Sequence, residues 1–148
     1  MKQRRGIGHE LMASFFGKKT NRTSLFQAAR DGDVKSVRSL LEEGHDVNGI
    51  DEQSRTPLFL ACKYGNLEVA DYLIQHGASI EQRDETGRTP LYNAIYSGSH
   101  EVVALLLKSG AKTDIVDALG NSPVEYAKMA FKPGMISALQ GHHEKHEE

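Results

Sequence analysis

The stretch Asp84–Gly110, DETGRTPLYNAIYSGSHEVVALLLKSG, decides how the rest of the chain is read. Its Thr89-Pro90-Leu91 recurs as Thr56-Pro57-Leu58 and, in altered form, as Thr23-Ser24-Leu25 and Ser122-Pro123-Val124, each 33 residues from the next. Other columns keep the same interval. Alanines stand at Ala28, Ala61, Ala94 and Ala127, glycines at Gly32, Gly65 and Gly98, with Phe131 in the fourth place. A second glycine column runs Gly44, Gly77, Gly110, and an aspartate column runs Asp51, Asp84, Asp117. Self-similarity at a fixed period of this size marks a stacked-repeat architecture.

Each copy carries the signals of two short helices. In the second, Thr56 is a helix N-cap and Pro57 takes the first helical position, where no N–H is missed. Leu58, Ala61 and Cys62 form an apolar stripe at i, i+3, i+4, and Gly65 ends the helix by accepting a left-handed backbone. A second helix follows over Leu67–His76 with Val69, Ala70, Leu73 and Ile74 inward. The third copy repeats the pattern with Leu91, Ala94, Ile95, Val102, Val103, Leu105, Leu106 and Leu107. Small residues in the alanine column let helices approach closely.

These columns resemble the ankyrin repeat family, whose unit opens on Asp-x-x-Gly-x-Thr-Pro-Leu-His and ends on a Leu-Leu pair and glycine. The resemblance covers residues 22–140 and implies an all-α solenoid of about four repeats, 22–50, 51–83, 84–116 and 117–140, joined by β-hairpin-like loops. The first copy has Lys18 and Asn21 where Asp and Gly would fall, as suits a degenerate leading repeat. The fourth degrades at Phe131-Lys132-Pro133-Gly134, leaving a short last helix over Met135–Gln140 and a disordered polar tail, 141–148. Where the family has histidine after Thr-Pro-Leu, this chain has Phe26, Phe59, Tyr92 and Glu125. Aromatic packing is therefore expected in place of that imidazole's hydrogen bond across the inter-repeat loop.

Composition bounds the remainder. In 148 residues, 39% hydrophobic and 26% charged is ordinary for a water-facing protein. No apolar run reaches the roughly 18 residues of a membrane span. A single cysteine, Cys62, excludes an intrachain disulfide framework and favours a reducing, cytoplasmic setting, with nuclear and organellar locations as alternatives. The net charge of −2 divides unevenly: residues 1–22 carry +5, residues 141–148 carry −2, and the repeat body −5. The arm, residues 1–21, presents Arg4, Arg5, Lys18 and Lys19 and a short apolar run, HELMASFF, ending in Phe15 and Phe16. Three readings compete for it: a cap over the first repeat, an anchor inserting both phenylalanines into a partner, and a targeting segment. A secretory signal fits poorly, since the apolar core is short and contains Glu10.

Catalytic signatures are missing. His9-Glu10 begins a zincin-like string, but Ala13 stands where a second histidine is needed; Gly17-Lys18-Lys19-Thr20 ends like a phosphate loop, but Met12 replaces its upstream glycine. His142, His143 and His146 would need a helical tail to converge on a metal, so no metal, cofactor or small-molecule substrate is expected. The resemblance implies instead a non-enzymatic adaptor or scaffold that grips a protein with its concave face and hairpin tips. At matching positions the contact residues are Arg55, Lys63, Tyr64, Arg88, Tyr96, Ser97, Leu119 and Asn121. Arg55, Arg88, Tyr64 and Tyr96 lead, because arginine and tyrosine dominate binding hot spots. Asn48 resembles the asparagine hydroxylated in some members, against an ordinary role in turn bonding. The rival functions are association with nucleic acid through the basic arm, in a ribonucleoprotein or chromatin complex, and inhibition by masking an enzyme or transcription factor.

Overall fold

The computed structural model describes the backbone of residues 23–147 and the side chains of residues 23–141. Arg4, Arg5, Phe15, Phe16, Lys18 and Lys19 lie outside the described residues. Among the described residues, eight helices make four antiparallel pairs: α1 (Leu25–Asp31) with α2 (Val34–Glu42), α3 (Pro57–Lys63) with α4 (Leu67–Gln75), α5 (Pro90–Ser97) with α6 (His100–Lys108), and α7 (Pro123–Met129) with α8 (Pro133–Glu147). First helices pack on first helices and second on second along the stack, so the chain is an all-α repeat solenoid. No strand forms among the described residues, and the connections between pairs are tight turns.

Helices of seven to nine residues are marginal alone and depend on their ends and their packing. Ser24 Oγ accepts from Gln27 N–H at 3.0 Å and Thr56 Oγ1 from Phe59 N–H at 3.1 Å. Ser122 and Glu125 form a reciprocal capping box. Thr89 departs from the column: its hydroxyl is buried and has no partner. At the far end of the first helices Gly32, Gly65 and Gly98 adopt left-handed backbone, and Phe131 does so in the fourth copy with φ 55°.

The core follows the predicted stripes. Ala28, Ala61, Ala94 and Ala127 are fully buried, and so are Leu58, Val69, Leu73, Val102 and Leu106. Full burial of each such aliphatic side chain contributes about 1.5–3 kcal/mol. Ile74 and Leu105 are half-buried at the rim, packed against that core. Where Phe59 and Cys62, then Tyr92 and Ile95, are buried toward the following pair, α7 has the exposed Glu125 and Lys128. At these two positions the last described pair is polar, while Met129 and Phe131 are also exposed on it.

Side chains also staple pair to pair. Asn48 Nδ2 donates to Gly77 C=O at 3.1 Å while its Oδ1 accepts from Ser79 N–H at 2.8 Å. One repeat on, Glu81 accepts from Lys112 N–H at 2.9 Å, but its second oxygen is buried without a partner. Asn66 Nδ2 donates to the Ala29 and Arg30 carbonyls, both at 2.8 Å, closing the end of α1. Tyr92 corrects the expectation of aromatic packing alone. Its hydroxyl lies between the carbonyls of Ile115 and Asn121, the latter at 2.6 Å, and restores a bond across the inter-repeat loop. Burial pushes this phenol up to about 12, with a further rise from Asp117.

The end of the chain needs a second correction. Residues 141–147, expected to be disordered, continue α8, which also starts earlier than Met135. Buried Met135 and Leu139 hold its first turns against the core. Once nucleated, a helix extends at little cost, and Gly141 weakens this one without a proline after Pro133 to end it.

Candidate protein-binding groove

Between helix pairs the chain turns through three tips, 51–55, 84–88 and 117–121, which explain the aspartate column. Asp51 Oδ1 accepts from the N–H groups of Gln53 and Arg55, both at 2.9 Å. Asp84 does the same with Thr86 and Arg88, and Asp117 with Leu119 and Asn121. The third residue after each aspartate is left-handed: Gly87, Gly120 and, unusually, Ser54 at φ 63°. A Cβ on Gly87 would sit 2.9 Å from Ala118 N, so the glycine also lets the next tip approach.

The two arginines singled out from the sequence are tied down. Arg55 binds Asp51 Oδ2 through Nε and Nη2, both at 2.8 Å, within its own tip. Arg88 reaches the following tip, its Nε 3.1 Å from Asp117 Oδ2, with the guanidinium 4.7 Å from the Tyr126 ring centre. Asp117 is only 5% exposed. Burial pushes its carboxyl up, but the Asn121 N–H, the Arg88 side chain and the Leu119 N–H outweigh burial and leave it below the usual carboxylate value. Asp51 is likewise raised by burial and lowered further by Arg55 and Gln53, with a net decrease.

Tips and first helices enclose a groove of about 290 Å³. Gln53, Arg55, Asp84, Glu85, Thr86 and Arg88 form its tip side. Phe59, Lys63, Asn93, Tyr96 and Tyr126 form its helix side. Of the residues proposed from the sequence, the structure thus gathers Arg55, Lys63, Arg88 and Tyr96 into one cleft. Tyr96 is 58% exposed and free to be covered.

The other four lie outside the groove lining. Tyr64 is exposed at the end of α3, with the Lys63 ammonium 5.8 Å from its ring centre. Ser97 donates to Ala94 C=O at 2.8 Å and serves the end of α5. Leu119 is 77% exposed at the last tip. Asn121 is half-buried and used by the backbone: its N–H goes to Asp117, and its carbonyl accepts from Asp117 N–H and Tyr92. Asn48 is committed to the staple already described.

Sequence reasoning passed over Tyr126 and Asn93. The repeat register does align them, with Leu60 in the second copy, but nothing in a single sequence says that Tyr126 lies under Arg88 and edge-on to Tyr92, ring centres 5.5 Å apart. Among the described residues no cluster of three or more His, Cys, Asp or Glu is placed to hold a metal. No helix among them is long and apolar enough to cross a membrane.

No curated protein matches the chain. The family profile described as ankyrin repeats (3 copies) matches residues 8–84 and, overlapping them, 25–117. The matched span takes in well over half of the 148 residues and the first three helix pairs, and the chain belongs to the ankyrin repeat family.

Proposed function

We propose that this chain is a non-enzymatic adaptor, working alone or as a subunit of a larger assembly, that binds a protein in the groove between its tips and first helices. Ankyrin repeats in general are protein-interaction modules. The observation that carries the reading here is the groove itself, where the exposed Tyr96 and Lys63, which has no ion pair among the described residues, stand opposite the Asp84 and Glu85 carboxylates. Aromatic area with charges of both signs at the rim suits a polar, specific interface. Arg55 and Arg88 contribute as frame, fixing the tips, more than as free donors.

The test compares proteins recovered by the intact chain with those recovered by a Lys63→Ala/Tyr96→Ala/Glu85→Ala variant, after thermal unfolding shows the two equally folded. Loss of the recovered partner supports groove binding; undiminished recovery of every partner refutes it. The +5 charge of residues 1–22 keeps nucleic acid as the second reading. Recovery abolished by nuclease but untouched by the groove substitutions would favour that one.

A further inference from the structure

Of the five asparagines in the chain, only Asn48 is followed by glycine. That pairing is chemically reactive. The backbone nitrogen of the following residue attacks the asparagine Cγ, a C–N bond forms, and the side-chain nitrogen leaves as ammonia with the backbone proton. Water then opens the cyclic imide on either side, giving aspartate or an isoaspartate linked through its side chain. Glycine, with no Cβ, obstructs the attack least.

The fold opposes this reaction. Asn48 lies exposed in the turn after α2, yet both ends of its amide are held, Nδ2 by Gly77 C=O and Oδ1 by Ser79 N–H. The attacking atom is held too, since Gly49 N–H donates to Asp46 C=O at 3.2 Å. Ring closure therefore requires the 46–49 turn to come away from the 77–79 segment. That turn ties the first described pair to the second, and a linear array opens most readily at its ends.

The next repeat shows what the product would do. An aspartate at position 48 keeps an acceptor for Ser79 N–H but replaces the donor that meets Gly77 C=O with a second acceptor. Glu81 is already a carboxylate in this register: one oxygen accepts from Lys112 N–H, and the other is buried with no partner. Leaving a buried acceptor unsatisfied destabilises the contact around it. Isoaspartate would in addition lengthen the backbone of the turn by one carbon.

We propose that Asn48-Gly49 is a deamidation site gated by its own staple, and that modification there loosens the α1–α2 pair from the stack in one direction only. Water is the only co-reactant. The inference does not depend on what the groove binds.

Peptide mapping by mass spectrometry, with fragmentation that separates aspartate from isoaspartate, tests it on the full-length protein kept in mildly alkaline buffer with and without urea. Position 48 should convert in urea, and at least about tenfold more slowly in the folded protein. Val37→Ala, which leaves a cavity in the first pair, should speed conversion in the folded protein, whereas Met135→Ala in the last pair should not. Asn48→Asp should raise amide exchange in α1 and α2 by about two- to tenfold, as the loss of one hydrogen bond implies, and leave α5 and α6 unchanged. Equal conversion with and without urea would remove the gate, and no conversion in urea would remove the site. Unaltered exchange in Asn48→Asp would remove the consequence. Any of these three results overturns the proposal.

Discussion

At the scale of single residues, the repeat register turns each departure into an internal control. Ser54 occupies the left-handed position held by Gly87 and Gly120 in the other tips. A side chain there costs roughly 1 kcal/mol in backbone strain. Ser54→Gly should therefore raise stability by about that amount in urea unfolding, whereas Gly87→Ala should lower it by more, having both the strain and the close approach to Ala118 N. Thr56 and Thr89 make a second matched pair. Both are buried, but only Thr56 caps its helix. Thr56→Val should cost about 1 kcal/mol, and Thr89→Val, which removes a hydroxyl with no partner, should be neutral or stabilising in the same assay.

The tip is the element on which the candidate site rests, and its stability depends on charge. Asp117 takes two backbone N–H bonds and the Arg88 side chain, and its folded-state pKa lies below the unfolded value near 4. A depressed carboxylate contributes stability that is fully present above the unfolded value and disappears as pH falls through the folded one. The melting temperature of the wild type should thus exceed that of Asp117→Asn at pH 7, and the gap should close progressively below about pH 4. A gap that persists unchanged at lower pH would remove the charge from the explanation. Aspartate at this position was legible as a turn former in the sequence. Its bond to an arginine of the preceding tip was not, because Arg55, the register equivalent of Arg88, turns back to its own Asp51 instead.

For the whole molecule, stacking means that each pair is held by its neighbours and by few cross-links. Tyr92 is one polar link from the third pair to the loop leading into the fourth, beside Arg88 to Asp117, Arg83 to the Val116 carbonyl and the Ala118 N–H to the Thr86 carbonyl. Tyr92→Phe should keep the packing but remove the hydroxyl donor from the Ile115 carbonyl and leave the Asn121 carbonyl with Asp117 N–H alone. The expected result is faster amide exchange across α7 and α8 with α3 and α4 unchanged, because a linear array opens from its ends. Uniform loss of protection along the chain would show that the array behaves as one cooperative block.

The 33-residue interval, the Thr-Pro caps and the buried alanines and leucines determined the solenoid from the sequence alone, since each repeat has to hide an apolar face it cannot cover by itself. Register also says which positions share a groove, and four of the eight residues named for contact, Arg55, Lys63, Arg88 and Tyr96, line it. What only the tertiary structure decided was how those side chains are spent. Arg55 and Arg88 turn inward to carboxylates, Asn121 serves through its backbone, Tyr92 regains a lost loop bond, and α8 runs on through residues 141–147. These outcomes depend on the distances between residues of different repeats and on what already packs beneath them. A one-dimensional pattern fixes the neighbours of a residue but not which of them it will bond.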